Sequence, residues 1–239
     1  GDANNYINAS WVEVPKAERK YILTQGPLES TMSDFWLMIW QQRSEGIVML
    51  CKCVEKGVDK CCKYYPASAD EVIRTDHDLQ VSFVGASMTK DYVVRKLRLT
   101  NRIGCGDSEE RIVTHFHYIT WPDFGVPDDH EAFLKFLNTV RSSGCLDADN
   151  SVIHCSAGIG RSGTFCLVDS CLRYMESTET PVTFHQVQEM LKEMRRYRMG
   201  LVQTPDQLKF CFCAINHAMK KLTFNGDVDD DDDEDCEVE

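Results

Sequence analysis

One stretch constrains this chain more than any other: residues 151–164, SVIHCSAGIGRSGT. An apolar run, a loop of small residues and a helix-forming run follow one another without a break. A buried strand must therefore turn through the glycines straight into a helix, a unit that suits a sheet covered by helices.

The same residues admit two chemistries. GIGRSG fits the dinucleotide pattern G-x-G-x-x-G, which needs a βαβ unit and an acidic residue about 20 positions on to hold a ribose. The following MESTETPVTFHQVQ leads instead into another helix, which removes the second strand. Read the other way, Cys155 is separated by five residues from Arg161, with Ser162 next. A loop of small residues bent around one centre turns its N–H groups inward, and the helix behind it adds its positive end, so an oxyanion is favoured there. Arg161 can grip two phosphate oxygens with its planar fork. Cys155, at the bottom of an electropositive cup, is expected as the nucleophilic thiolate.

Around this loop, YINASWVEV and KYILTQG have strand composition, with PKAE as the turn between them. TMSDFWLMIWQQRSEG predicts a helix capped by Thr31 or Ser33 and ended by Gly46, followed by the short buried strand GIVMLC. Between Leu79 and Thr120 the pattern alternates with period two, as in neighbouring antiparallel strands with one face in the core. EAFLKFLNTVRSSG, closed by Gly144, then RSGTFCLVDSCLRYM, FHQVQEMLKEMRRYR and PDQLKFCFCAINHAMKKL read as helices. The fold class is α/β, with α+β character: a highly twisted mixed central sheet flanked by helices.

The formal charge of −12 describes a tail more than a body. Ten of the 38 acidic residues lie between Asp227 and Glu239, leaving 28 acids against 26 bases elsewhere. We expect one domain over 1–224 and a solvated acidic tail over 225–239. Nucleic acid is not expected as a partner. Twelve cysteines with no signal-peptide pattern indicate a reducing, cytoplasmic setting. CKC, CC and CFC lack the spacing of common zinc sites, so no metal is expected. No apolar run is long enough to cross a bilayer.

HCSAGIGRSGT resembles the active-site loop of the protein tyrosine phosphatases, in particular the non-receptor subfamily of the T-cell phosphatase and its 1B relative. NNYINAS, YILTQGP, FWLMIW, VEKG, HYITWPDFGVP and GLVQTPDQL resemble further motifs in the family's order, across residues 4–222. The resemblance implies the phosphatase fold, hydrolysis of phosphotyrosine in proteins through a covalent phosphocysteine, no cofactor, and a monomer.

It also implies roles. Cys155 would be the nucleophile and Arg161 the phosphate ligand, with Ser156, Ala157, Gly158, Ile159 and Gly160 completing the cradle. Asp123 in WPDFG would be the general acid and then the base, on a loop that closes over substrate. Gln203 and Gln207 would position the hydrolytic water at the pocket, and Ser162 would stabilise the Cys155 sulfur as leaving group or cap the helix. His154 would tune the thiolate through its hydrogen bonds. Glu55 would orient Arg161, Lys60 would reach the acid loop, Phe124 would lie beside the substrate ring, and Trp121 would anchor the moving loop. Gly200 would leave room at the pocket rim, or simply end the preceding helix, while Arg195 resembles part of a second phosphotyrosine pocket.

The family's K-N-R-Y tyrosine, which helps set pocket depth, has no equivalent in these residues. A module that binds phosphotyrosine without turnover and a phosphatase of broader range therefore stand beside the tyrosine-specific enzyme.

Overall fold

The structure is a computed structural model that describes residues 6–102, 109–122, 125–127 and 129–224. β1 (Ala9–Val14) and β2 (Arg19–Thr24) form an antiparallel hairpin, turned by a single 3-10 turn at Pro15–Ala17 where PKAE was expected to turn. α1 (Met32–Gln41) and β3 (Gly46–Met49) follow. β4 (Val54–Glu55) and β5 (Val58–Asp59) make a small separate hairpin. β7 (Leu79–Met88), β8 (Tyr92–Asn101) and β9 (Glu110–Tyr118) are successive antiparallel neighbours, as the pattern between Leu79 and Thr120 predicts, and β6 (Val72–Arg74), which that pattern does not cover, pairs antiparallel with β7. Then come α2 (His130–Ser142), β10 (Val152–His154), α3 (Gly160–Thr178), α4 (Phe184–Tyr197) and α5 (Pro205–Phe224).

The main sheet has eight strands in the order β1-β2-β10-β3-β9-β8-β7-β6. Its middle is parallel: β10 lies between β2 and β3, with Val152 opposite Ile22 on one side and Ile47 on the other, and β3 runs parallel to β9. All residues of β3 and β10 are buried, which is why these strands read as unbroken apolar runs rather than alternations. Because β2, β10, β3 and β9 point the same way, their carboxyl ends emerge at one edge, where open α/β sheets bind ligands. α3 packs on α5 and α4, and α2 packs on α5. Phe133 and Phe136 from α2, Phe165 from α3, Phe210 from α5 and Tyr118 from β9 meet in one fully buried aromatic cluster.

Two local expectations change. Thr31 is the residue before α1, but its hydroxyl oxygen accepts from the Leu28 N–H rather than from the helix, and Ser33 turns to Asp76. Gly46 does not end α1: the chain reverses at Arg43, with φ of 55°, and Gly46 is already the first residue of β3. Its missing side chain serves packing, since a Cβ there would sit 2.7 Å from Cys145 Sγ. Gly144, by contrast, follows α2 at φ 77°, the left-handed ending its sequence predicts. After α3 the chain enters α4 and not a strand, which disposes of the dinucleotide unit.

Candidate active site

Cys155 follows β10 directly and is buried, at the carboxyl edge of the parallel strands. The backbone from there to Gly160 is held by its carbonyls. His154 Nδ1 donates to the Cys155 carbonyl (3.0 Å), and Gly26 N–H to that of Ser156 (2.9 Å). The Arg198 guanidinium donates to the carbonyls of Ala157 (3.1 Å) and Gly158 (2.8 Å). Gly163 and Val202 N–H groups both reach the Ile159 carbonyl, at 3.0 and 3.1 Å, and the Thr164 hydroxyl takes that of Gly160 at 3.1 Å.

A trans peptide is planar, so its C=O and the following N–H point in opposite directions. Anchoring the carbonyls of residues 155–160 outward therefore turns the N–H groups of residues 156–161 inward. Among the described residues none of those N–H groups has a protein acceptor. Such a concentration of unpaired donors at the start of a helix is an anion nest.

The glycines make the nest possible at close quarters. Gly158 adopts φ 70°, and a Cβ on it would lie 2.1 Å from the Thr24 carbonyl oxygen. Gly163 packs so tightly that a Cβ would meet the Val202 nitrogen at 2.5 Å.

Arg161 stands beside the nest, clamped by Glu55 of the β4–β5 hairpin. Nη1 lies 2.5 Å from Glu55 Oε1 and Nη2 2.8 Å from Oε2, with Leu50 and Pro122 carbonyls at 3.1 and 3.3 Å. Burial alone would push the Glu55 carboxyl up. The hydrogen bond and charge of Arg161, with the Lys52 N–H and the Lys60 charge, outweigh it and hold the group below its ordinary value. The guanidinium fork that sequence reasoning aims at phosphate is thus turned toward Glu55 in this structure. Its Pro122 contact is the longest of the four.

That contact ties Arg161 to the WPDFG loop. Trp121 is buried against Phe133 and Phe210, and its indole N–H donates to the Gly125 carbonyl. Asp123 and Phe124 lie outside the described residues. Lys60 acts on Glu55 through its charge, and its carbonyl lies beside Gly26.

Gln203 and Gln207 are brought together over the start of α3: the Gln203 N–H donates to Gln207 Oε1 (2.8 Å), and a Cβ on Gly160 would touch both carboxamides. Val202 holds them there at φ 56°, a costly conformation for a β-branched residue. Its N–H is pinned by Ile159 and its carbonyl by Arg195 Nη2 (2.9 Å), while Arg195 Nε takes the Leu201 carbonyl (2.8 Å). Arg195, expected in a second pocket, spends these donors on the backbone. Gly200 is not the terminal glycine of α4, whose cap is Arg198; it turns the next segment at φ 81° beside Ile159.

Ser162 is inside α3, whose cap is Ile159, so its expectation as a cap is wrong. Its hydroxyl is buried and has no partner among the described residues. His154 is fully buried, and burial depresses it to about 4, so it is neutral. Beyond the expected residues, Arg198, Tyr64 and His115 also belong to the site. Arg198 stands two residues before the noted Gly200, but nothing local in RRYRMG shows which arginine turns inward. Among the described residues no group of three or more His, Cys, Asp or Glu side chains could hold a metal ion, and no helix is long and apolar enough to cross a membrane.

A buried thiol under a nest of inward amide hydrogens, with a clamped arginine at the edge of a parallel sheet, is an arrangement suited to an oxyanion. A model of the family described as protein-tyrosine phosphatase matches residues 1–217, and the chain belongs to that family. Tyrosine-protein phosphatase non-receptor type 2 of Mus musculus is 50% identical over 219 residues, covering 91% of this chain and 52% of that protein. Tyrosine-protein phosphatase non-receptor type 61F of Drosophila melanogaster is 48% identical over 227 residues, 91% of this chain and 39% of that protein. Tyrosine-protein phosphatase non-receptor type 9 of Homo sapiens is 39% identical over 224 residues, 88% of this chain and 36% of that protein. The chain thus spans about half, or less, of the length of these relatives.

Proposed function

We propose that this chain hydrolyses phosphotyrosine in proteins through a phosphocysteine, with residues 1–224 as the catalytic domain and 225–239 as an acidic tail. The observation that carries the reading is the set of inward N–H groups on residues 156–161, each aimed by an anchored carbonyl. They match three phosphoryl oxygens better than any neutral ligand.

Cys155 Sγ attacks phosphorus, forming the S–P bond as the P–O bond to the tyrosine breaks. Asp123 gives its proton to the departing phenolate. Arg161 holds non-bridging oxygens, kept in plane by Glu55 and yielding its long Pro122 contact to the substrate. Gln203 and Gln207 then orient a water, Asp123 takes its proton, and the S–P bond breaks. The orphan Ser162 hydroxyl donates to the leaving thiolate. Lys60 reaches the acid loop, Phe124 flanks the substrate ring and Trp121 anchors the loop between its two positions. The enzyme is read as a monomer, and as cytoplasmic in keeping with the free thiols of the described cysteines.

The test is turnover of a phosphotyrosine peptide and its phosphoserine counterpart by wild type, Cys155→Ser and Asp123→Ala. Hydrolysis of the tyrosine peptide alone, abolished in the first variant and slowed at least a hundredfold in the second, is expected. A folded wild type that binds the peptide without turnover would mean a binding module, and equal turnover of both peptides would mean a broader phosphatase.

A further inference from the structure

The carbonyl that aims the first N–H of the nest, that of Cys155, is held by one imidazole, and the imidazole is the end of a longer chain. His154 Nε2 lies 2.6 Å from the Tyr64 hydroxyl, which lies 2.8 Å from His115 Nε2. His115 Nδ1 in turn faces Arg95 Nη1 at 3.4 Å. All three middle groups are fully buried. Arg95 is half-buried and lies across Tyr65, 4.5 Å from its ring centroid, while Tyr65 is itself tilted over His115 with centroids 4.5 Å apart.

Elementary hydrogen-bond chemistry gives this chain one direction. A carbonyl only accepts, so His154 must carry its proton on Nδ1. Burial keeps both His154 and His115 neutral, so His154 Nε2 is bare and must accept from Tyr64. The Tyr64 hydroxyl has one proton. Having given it to His154, its oxygen must accept from His115 Nε2–H, which leaves His115 Nδ1 bare. A bare ring nitrogen is what an arginine, with donors only, can face. At the other side His117, whose ring centroid is 5.9 Å from that of His115, directs its Nε2 to the Cys51 carbonyl and does not compete.

We propose that Arg95 is a remote positioning residue for the nucleophile: by fixing the tautomer of His115, it sets the direction of the His115–Tyr64–His154 chain that ends on the Cys155 carbonyl. The proposal rests on Cys155 being the nucleophile, but its structural core does not. An acceptor in place of Arg95 would put the proton on His115 Nδ1. Two bare nitrogens would then compete for the single Tyr64 proton, and His154 would lose its hold for part of the time. With it goes the fixed orientation of the peptide that presents the Ser156 N–H to the oxyanion.

The experiment uses the full chain with 15N-labelled histidine. In wild type, NMR should show His115 protonated on Nε2 and His154 on Nδ1; either opposite tautomer overturns the proposal whether or not the chain is an enzyme. Arg95→Glu should move the His115 proton to Nδ1 and change the rate of Cys155 alkylation by iodoacetamide at least threefold. With a phosphotyrosine peptide, kcat should fall about tenfold with KM within twofold, and Arg95→Lys should restore both rates. Unaltered tautomers and rates in a folded Arg95→Glu protein would overturn it. Wild-type tautomers as expected, with an alkylation response but no turnover by any form, would instead sink the enzymatic reading and leave the chain intact.

Discussion

Removing the Glu55 carboxylate tests what holds Arg161 in place. The Glu55 side chain is 1% exposed and that of Arg161 13%, so the pair is shielded from solvent. Glu55→Ala deletes the acceptor of both Nη groups and of the Lys52 N–H. Breaking one side of a buried pair costs about 3–5 kcal/mol, because the other charge stays buried. Arg161 keeps the Leu50 and Pro122 carbonyls, which places the expected loss near the lower end, about 3 kcal/mol. Glu55→Gln keeps the shape and one acceptor and should cost roughly 1–3 kcal/mol.

The assays are urea denaturation followed by tryptophan fluorescence, and competition by tungstate, a tetrahedral oxyanion. Glu55→Ala should weaken tungstate at least tenfold, since a guanidinium free to rotate no longer presents a fixed edge. The pH dependence has a definite sign. The folded carboxyl titrates below its unfolded value of about 4.3, so its contribution is complete above that pH and is lost as pH falls through the folded value. The difference between wild type and Glu55→Ala should be flat from about pH 5 to 8 and shrink only below about pH 4. A loss under about 0.5 kcal/mol, within the range of ordinary surface substitutions, together with unchanged tungstate affinity would refute the clamp.

Other outcomes follow from the same geometry. Gly158→Ala should abolish tungstate binding, because its Cβ would need the Thr24 carbonyl to retreat from 2.1 Å; calorimetry showing near wild-type affinity would contradict the tight approach. Arg198→Met should release the Ala157 and Gly158 carbonyls and lower oxyanion affinity at least tenfold, and an unchanged affinity would show that the nest holds itself. His117 and His154 are both pushed by burial to about 4. Each is neutral when folded and protonated when unfolded between pH about 6.5 and 4, so stability should fall with acid by up to about 1.4 kcal/mol per pH unit for each; a urea midpoint independent of pH over that window would refute their burial. The hydrogen-bonded Cys61 thiol, with burial, raises Cys53, and burial raises Cys62, Cys145, Cys166, Cys171 and Cys211. Limiting iodoacetamide at pH 7 should therefore label Cys155 before any of these, and mass mapping that found Cys62 first would count against the electropositive cup.

Much of this was legible in the chain because the signals are local. Strand, glycine loop and helix are contiguous in residues 151–164, so the cradle and the Cys155–Arg161 spacing could be read together. The β8 alternation survives in the structure for the same reason, whereas β9, set between β3 and β8, is buried without a break from Val113 to Tyr118. What escaped depends on distant partners. Gly46 looks like a helix stop until Cys145 is found against it, and Ser162 looks like a cap until Ile159 takes that place. Arg198 and Arg195 are three residues apart in one basic run, yet one gathers loop carbonyls and the other pins Val202. Tyr64, His115 and Arg95 carry no motif at all. Their meaning is a direction of protons, which no spacing encodes.

The position of β10 has a consequence for how the protein comes into being. Residues 152–154 must slip between β2 at 19–24 and β3 at 46–49, two segments made more than a hundred residues earlier. During synthesis those two strands wait with open edges, exposed to the wrong partners. The centre of the sheet closes only across very long sequence separations, which makes for slow folding. The strand that completes the sheet is the one that delivers the thiol, so a half-made chain cannot carry a finished pocket. Chemistry and closure of the fold arrive in a single event.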